Sequence, residues 1–222
     1  EESTSGDGEG MLGEFHSNYR HMGNDKNVDF ADPIQHKKCN FVGKFGYAGI
    51  WEICTPSGVC PPPRGGPFSI YAPEFDKLYV GYGSNTKEEL FNDLWSLDLS
   101  TYKWEMVKLT GDTITPRTGT RAILVNNLIV CFGGYQKDVY LGDLHCINPN
   151  TGQVTMIETN GELPENRSTP LLAYNDMQLF VWGGYCHNTW PSQLHILNLS
   201  TYTWRTVDTN IQGRTAIPCV RV

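Results

Sequence analysis

Arg64, Arg117, Arg167 and Arg214 follow one another at intervals of 53, 50 and 47 residues, and their surroundings repeat with them. Glycines recur at Gly81/Gly83, Gly133/Gly134 and Gly183/Gly184. Trp104, Val154 and Trp204 stand 50 apart, and Trp51 precedes Trp104 by 53. A period of this length marks solenoids, propellers and arrays, in which one unit cannot bury its own faces and must stack on its neighbours.

Each unit reads as four short strands. The first follows the arginine (Phe68–Tyr71, Arg121–Val125, Pro170–Tyr174). A tight turn such as Asn126-Asn127 or Asn175-Asp176 leads to the second, since both pairs suit left-handed turn positions. The second strand is an apolar run (LYV, LIVCF, LFVW), as expected of a strand buried on both faces, and the glycine pair is expected to end it. The third alternates (LWSLDL, LHCINP, LHILNL), and STYKW, NTGQV and STYTW turn the chain into the fourth. No helical period appears in residues 41–222.

This grammar resembles the kelch repeat. The resemblance is carried by VCFGG and FVWGG, by Asn92-Asp93-Leu94 and Gly142-Asp143-Leu144 before strand three, and by the tryptophan after Ser-Thr-Tyr. The link from Gly161 through Pro164 to Arg167 fits as well. The first unit departs with Gly-Tyr-Gly, the second with Val154 in place of tryptophan, and the family's histidine shortly after the arginine is missing from every unit. The resemblance implies an all-β, kelch-type β-propeller over residues 41–222. It divides into a partial blade (41–63), three full four-stranded blades (64–115, 116–165, 166–213) and the start of another (214–222). Phe41–Thr55 aligns with strands three and four of the first, incomplete blade. Closed propellers have roughly four to eight blades. The kelch resemblance implies that the chain is part of a six- or seven-bladed ring; the alternative is that its partial halves combine into one blade of a four-bladed ring.

Residues 1–10 read as an acidic disordered tail and residues 11–40, with His16, His21 and His36, as an irregular extension. The net charge of −7 includes four acids from that tail, and no Lys/Arg run exists, so neither nucleic acid nor an anionic membrane is an expected partner. No apolar stretch is long enough for a membrane-spanning helix. Seven scattered cysteines suggest reduced thiols and a cytoplasmic protein, with a Cys54–Cys60 bridge as the one local pairing left open.

The period assigns the conspicuous residues to blade construction. Trp51, Trp104 and Trp204 are expected to pack between blades. Arg64, Arg117 and Arg167 are expected to tie their blades together, with Asp93 and Asp143 as partners, and Gly133, Gly134, Gly183 and Gly184 to shape the turns. His145 and His195 read as blade-face residues rather than metal ligands. No catalytic signature, metal ligand set or cofactor motif is present. The aperiodic parts are the loops Ser84–Phe91, Tyr135–Tyr140 and Tyr185–Gln193. In the family such loops line one face of the propeller. They nominate Asn85, Lys87, Glu88, Tyr135, Gln136, Lys137, Asp138, Tyr140, Tyr185, His187 and Trp190 as partner-binding residues. The expected function is a non-enzymatic scaffold for another protein. The alternatives are an enzyme resembling the kelch-type oxidases or epimerases, and a structural subunit of a cytoskeletal assembly.

Overall fold

The computed structural model describes the strands at residues 39–42 and 48–51 and all of residues 54–207. The predicted tail and most of the extension, and the predicted blade start at 214–222, lie outside the described residues. Strands β1 (Cys39–Val42) and β2 (Ala48–Trp51) pair antiparallel, with Cys39 opposite Trp51 and Val42 opposite Ala48. They belong to a unit separate from the one that begins at Cys54.

Among its described residues that second unit holds three five-stranded sheets. The first comprises β3 (Ser57–Gly58), β4 (Phe68–Ala72), β5 (Lys77–Gly81), β6 (Leu94–Asp98) and β7 (Lys103–Val107). The second comprises β8 (Thr110–Gly111), β9 (Arg121–Val125), β10 (Leu128–Gln136), β11 (Val139–Ile147) and β12 (Gln153–Ile157). The third comprises β13 (Asn160–Gly161), β14 (Leu171–Asn175), β15 (Gln178–Trp182), β16 (Leu194–Asn198) and β17 (Thr203–Val207). In each, four strands form an antiparallel meander. The four expected strands of each blade are present, and a fifth, short strand joins them. The two-residue strands β3, β8 and β13 come from the segment before each arginine and pair parallel with β7, β12 and β17. Gly58, Gly111 and Gly161 sit there at φ of 84°, 85° and 87°, each with its absent Cβ directed at a carbonyl of the partner strand. Only glycine fits that approach without strain.

The turns follow local chemistry. Asn126 (φ 48°) and Asn127 (φ 63°) join β9 to β10 as expected. In the third blade the left-handed pair is Asp176 (45°) and Met177 (59°), one residue later than Asn175-Asp176, because Asn175 is the last paired residue of β14. Between strands three and four, Asp98, Asn148 and Asn198 occupy one repeating position. Their side-chain oxygens accept from the main-chain N–H groups two and three residues on, over 2.8–3.3 Å.

Two apolar cores lie between successive sheets. Phe68, Tyr79 and Leu94 of the first blade meet Ile129, Cys131, Ile147 and Val154 of the second. Val130, Phe132 and Leu144, on the other face of the second, meet Leu179, Val181, Leu197 and Trp204 of the third. The alternation along β10 thus fills both cores, and residues 129–134 are all buried. Burial alternates in β5 and β15, and among the described residues the expected burial on both faces is seen in β10. Nor does the glycine pair end the strand there. β10 continues through Gly133 and Gly134 as a bulge and pairs to Gln136–Val139. Innermost strands β4, β9 and β14 lie side by side in blade order. The propeller is not closed among the described residues. Cys54 and Cys60 are free thiols, which removes the pairing left open above. Among the described residues no helix is long and apolar enough to cross a membrane.

Candidate binding cleft on the loop face

Each repeating arginine reaches into its own blade the same way. Nε of Arg64, Arg117 and Arg167 donates to the carbonyl two residues earlier (3.2, 2.9 and 2.8 Å). Nη1 donates to the carbonyl of Tyr82, Gly133 or Gly183 (2.9, 3.3 and 3.1 Å). Arg64 also grips Asp93 with both Nη atoms (2.6 and 3.0 Å), and Arg117 binds Asp143 at 2.5 Å. Burial would raise Asp143, but His145 and the Arg117 guanidinium reverse this and hold it at about 2. The third blade has Gln193 where the others have aspartate, and the fully buried Arg167 keeps Nη2 without a hydrogen-bond partner.

With its side chain anchored, each arginine fixes the residue that follows it. Gly65, Thr118 and Ser168 exchange paired main-chain hydrogen bonds of 2.7–3.0 Å with Ser84, Tyr135 and Tyr185, the residues just after the glycines. The next residues join blade to blade: Gly119 N–H donates to Gly66 O (3.0 Å), and Thr169 N–H donates to Gly119 O (2.7 Å). These small residues form a floor shared by all three blades.

Above it stand the loop aromatics. The Tyr140 ring lies 5.1 Å from Tyr135, 5.8 Å from Tyr185 and 5.0 Å from His187. Trp190 extends the cluster at 5.6 Å from Tyr185 and is 45% exposed. The turns beneath are matched: Tyr135 Oη donates to Asp138 Oδ1 (2.8 Å) and Tyr185 Oη to Asn188 Oδ1 (2.6 Å). Together they enclose an open cleft of about 650 Å³, lined by Gly66, Thr118, Gly119, Tyr135, Asp138, Tyr140, Ser168, Thr169, Tyr185, His187 and Asn188.

Of the nominated residues, Tyr135, Asp138, Tyr140, Tyr185 and His187 line this cleft, and Trp190 adjoins it. Gln136, the last residue of β10, and the exposed Lys137 of the β10–β11 turn lie outside it. Asn85, Lys87 and Glu88 form a separate loop, in which Asn85 Oδ1 accepts from the Lys87 and Glu89 N–H groups at 2.9 and 3.0 Å. Sequence reasoning missed the floor: Gly66, Thr118, Gly119, Ser168 and Thr169. The available signal was that both positions after Arg64, Arg117 and Arg167 hold only Gly, Ser or Thr.

Trp204 is buried against Phe132 of the preceding blade (6.0 Å), whereas Trp104 is half-buried and the Trp51 side chain lies outside the described residues. His145 is wholly buried, with Nε2 2.8 Å from Tyr82 Oη of the preceding blade and Nδ1 3.4 Å from Asp143 Oδ2. Burial outweighs the aspartate and lowers its pKa below the ordinary 6.5. Among the described residues no three His, Cys, Asp or Glu side chains converge as metal ligands.

Repeated four-stranded meanders, each laced by a short parallel strand and packed face to face, define the blades of a β-propeller. The family model of the KLHDC2/KLHL20/DRC7 Kelch-repeats domain matches residues 47–221, and the chain belongs to this kelch-repeat family. Domains of this kind are commonly protein-interaction modules.

Proposed function

We propose that the chain is a non-enzymatic scaffold that holds a segment of a partner protein in the cleft on its loop face. The observation that carries this reading is the convergence of Tyr135, Tyr140 and Tyr185, from two blades, over a floor drawn from three. Half-buried aromatics over a concave, small-residue floor offer contact area at low entropic cost, which is the usual composition of a binding hot spot. The partner's backbone would lie along the floor and its side chains among the rings. The cytoplasm is the compartment that fits the free thiols of Cys54, Cys60, Cys131, Cys146 and Cys186.

A selection of random displayed peptides on the purified protein tests this. The expected outcome is a set of peptides whose binding falls at least tenfold in Tyr185→Ala and is unchanged in Lys87→Ala, outside the cleft. Peptides that bind Tyr185→Ala as well as the parent protein would move the interaction elsewhere. Stoichiometric copper or zinc in the purified protein would favour an enzyme instead.

A further inference from the structure

Resting on that reading, we propose that the cleft selects a basic partner segment, seating an arginine or lysine side chain against Tyr135, Tyr140 and Tyr185 and opposite Asp138. The three tyrosines are half-buried and all line the cleft. Successive rings are inclined by 52° and 69°, which makes a folded wall rather than a flat stack. Aromatic faces carry the negative end of the ring quadrupole and attract cations within about 6 Å.

The charges on the wall agree. Among the described residues Asp138 is the one carboxylate that lines the cleft; His187 is the one basic side chain there, and no lysine or arginine lines it. The Tyr135 phenol is pushed up first by its hydrogen bond to Asp138, and Glu88 adds to the shift, so negative potential also reaches it from the loop of the first blade. A guanidinium brings five donors and no acceptor. Thr118, Ser168 and Thr169 supply hydroxyl acceptors on the floor.

The opposing charges are placed less favourably. Lys137 adjoins Asp138 in sequence but is exposed and outside the lining. Arg117 is buried and paired with Asp143. Arg167 is buried and directed at the carbonyls of Glu165 and Gly183. It is the group that would favour an anion, so an acidic peptide is the competing outcome.

The same peptide selection decides, read for charge. Enrichment of peptides with a fixed arginine or lysine is expected, and the best of them is then titrated by fluorescence anisotropy. Asp138→Asn should weaken it severalfold and flatten its salt dependence. Tyr140→Leu should weaken it about fivefold, and by more than Tyr140→Phe, which keeps the ring. Asp138 is exposed, so its variant carries the test if Tyr140→Leu does not fold, as judged by circular dichroism. Cleft-dependent enrichment of acidic or uncharged peptides would overturn this inference and leave the scaffold reading standing. So would a basic peptide indifferent to Asp138→Asn. No enrichment over an unrelated protein would strike the scaffold reading itself.

Discussion

Tyr82 occupies a left-handed backbone position (φ 61°) that Gly133 and Gly183 hold in the other blades. Left-handed geometry costs a non-glycine residue about 1 kcal/mol. In return its ring packs edge-on to Phe68 at 5.0 Å and its hydroxyl meets His145 across the blade interface. Tyr82→Phe leaves buried His145 Nε2 unpaired and should cost about 1–3 kcal/mol in urea unfolding. The same histidine sets a pH dependence. Burial lowers the folded-state pKa of both His145 and His195 below 6.5, so their stability contribution is full above 6.5. It is lost as pH falls below that value, because the unfolded chain takes up the proton first. Asp143, held at about 2 against 3.8, loses its contribution only between those lower values. Thermal melts should therefore show a first loss of stability starting near pH 6.5 and a second below pH 4. A third residue-scale expectation concerns Arg167. Gln193→Asp places a carboxylate where Asp93 and Asp143 stand, and should raise the melting midpoint by a few degrees.

At the scale of elements, the meanders were legible because strands impose chemistry on many residues at once. Apolar runs, Asx turns and anchoring arginines each repeat, so errors in one are corrected by another. The two-residue strands β3, β8 and β13 were not, since only Gly58, Gly111 and Gly161 mark them. Their requirement is a backbone angle rather than a side chain. Gly161→Ala combines a positive φ with a clash at Trp204 O and should destabilise the third blade by roughly 1–2 kcal/mol or more, read by chemical denaturation. The loop aromatics were picked out individually, but their meeting was not legible. Tyr140 and Tyr185 are 45 residues apart and approach only because neighbouring blades set equivalent turns side by side. The floor escaped notice for the opposite reason. Glycine, serine and threonine carry no signature of chemistry until the fold makes them a surface.

Across the whole molecule, the described sheets differ in how thoroughly they are covered. The central blade has an apolar core on each face, and β10 is buried from residue 129 to 134. Local opening is rarest where contacts are densest. Amide hydrogen exchange should accordingly be slow at residues 129–132, slower than at the exposed turn residues 137 and 138 of the same blade.

The short parallel strands also fix where one module stops and the next begins. A cut at Arg117 would leave β8 on the wrong side, detaching the outermost strand from the sheet it completes. The transferable cassette runs instead from Thr110 to just before Asn160, so that every sheet travels with its own selvedge. Blade shuffling or circular permutation of this chain should respect those seams, and insertions made between β8 and Arg117 would loosen the weave of the blade they enter rather than the one they leave.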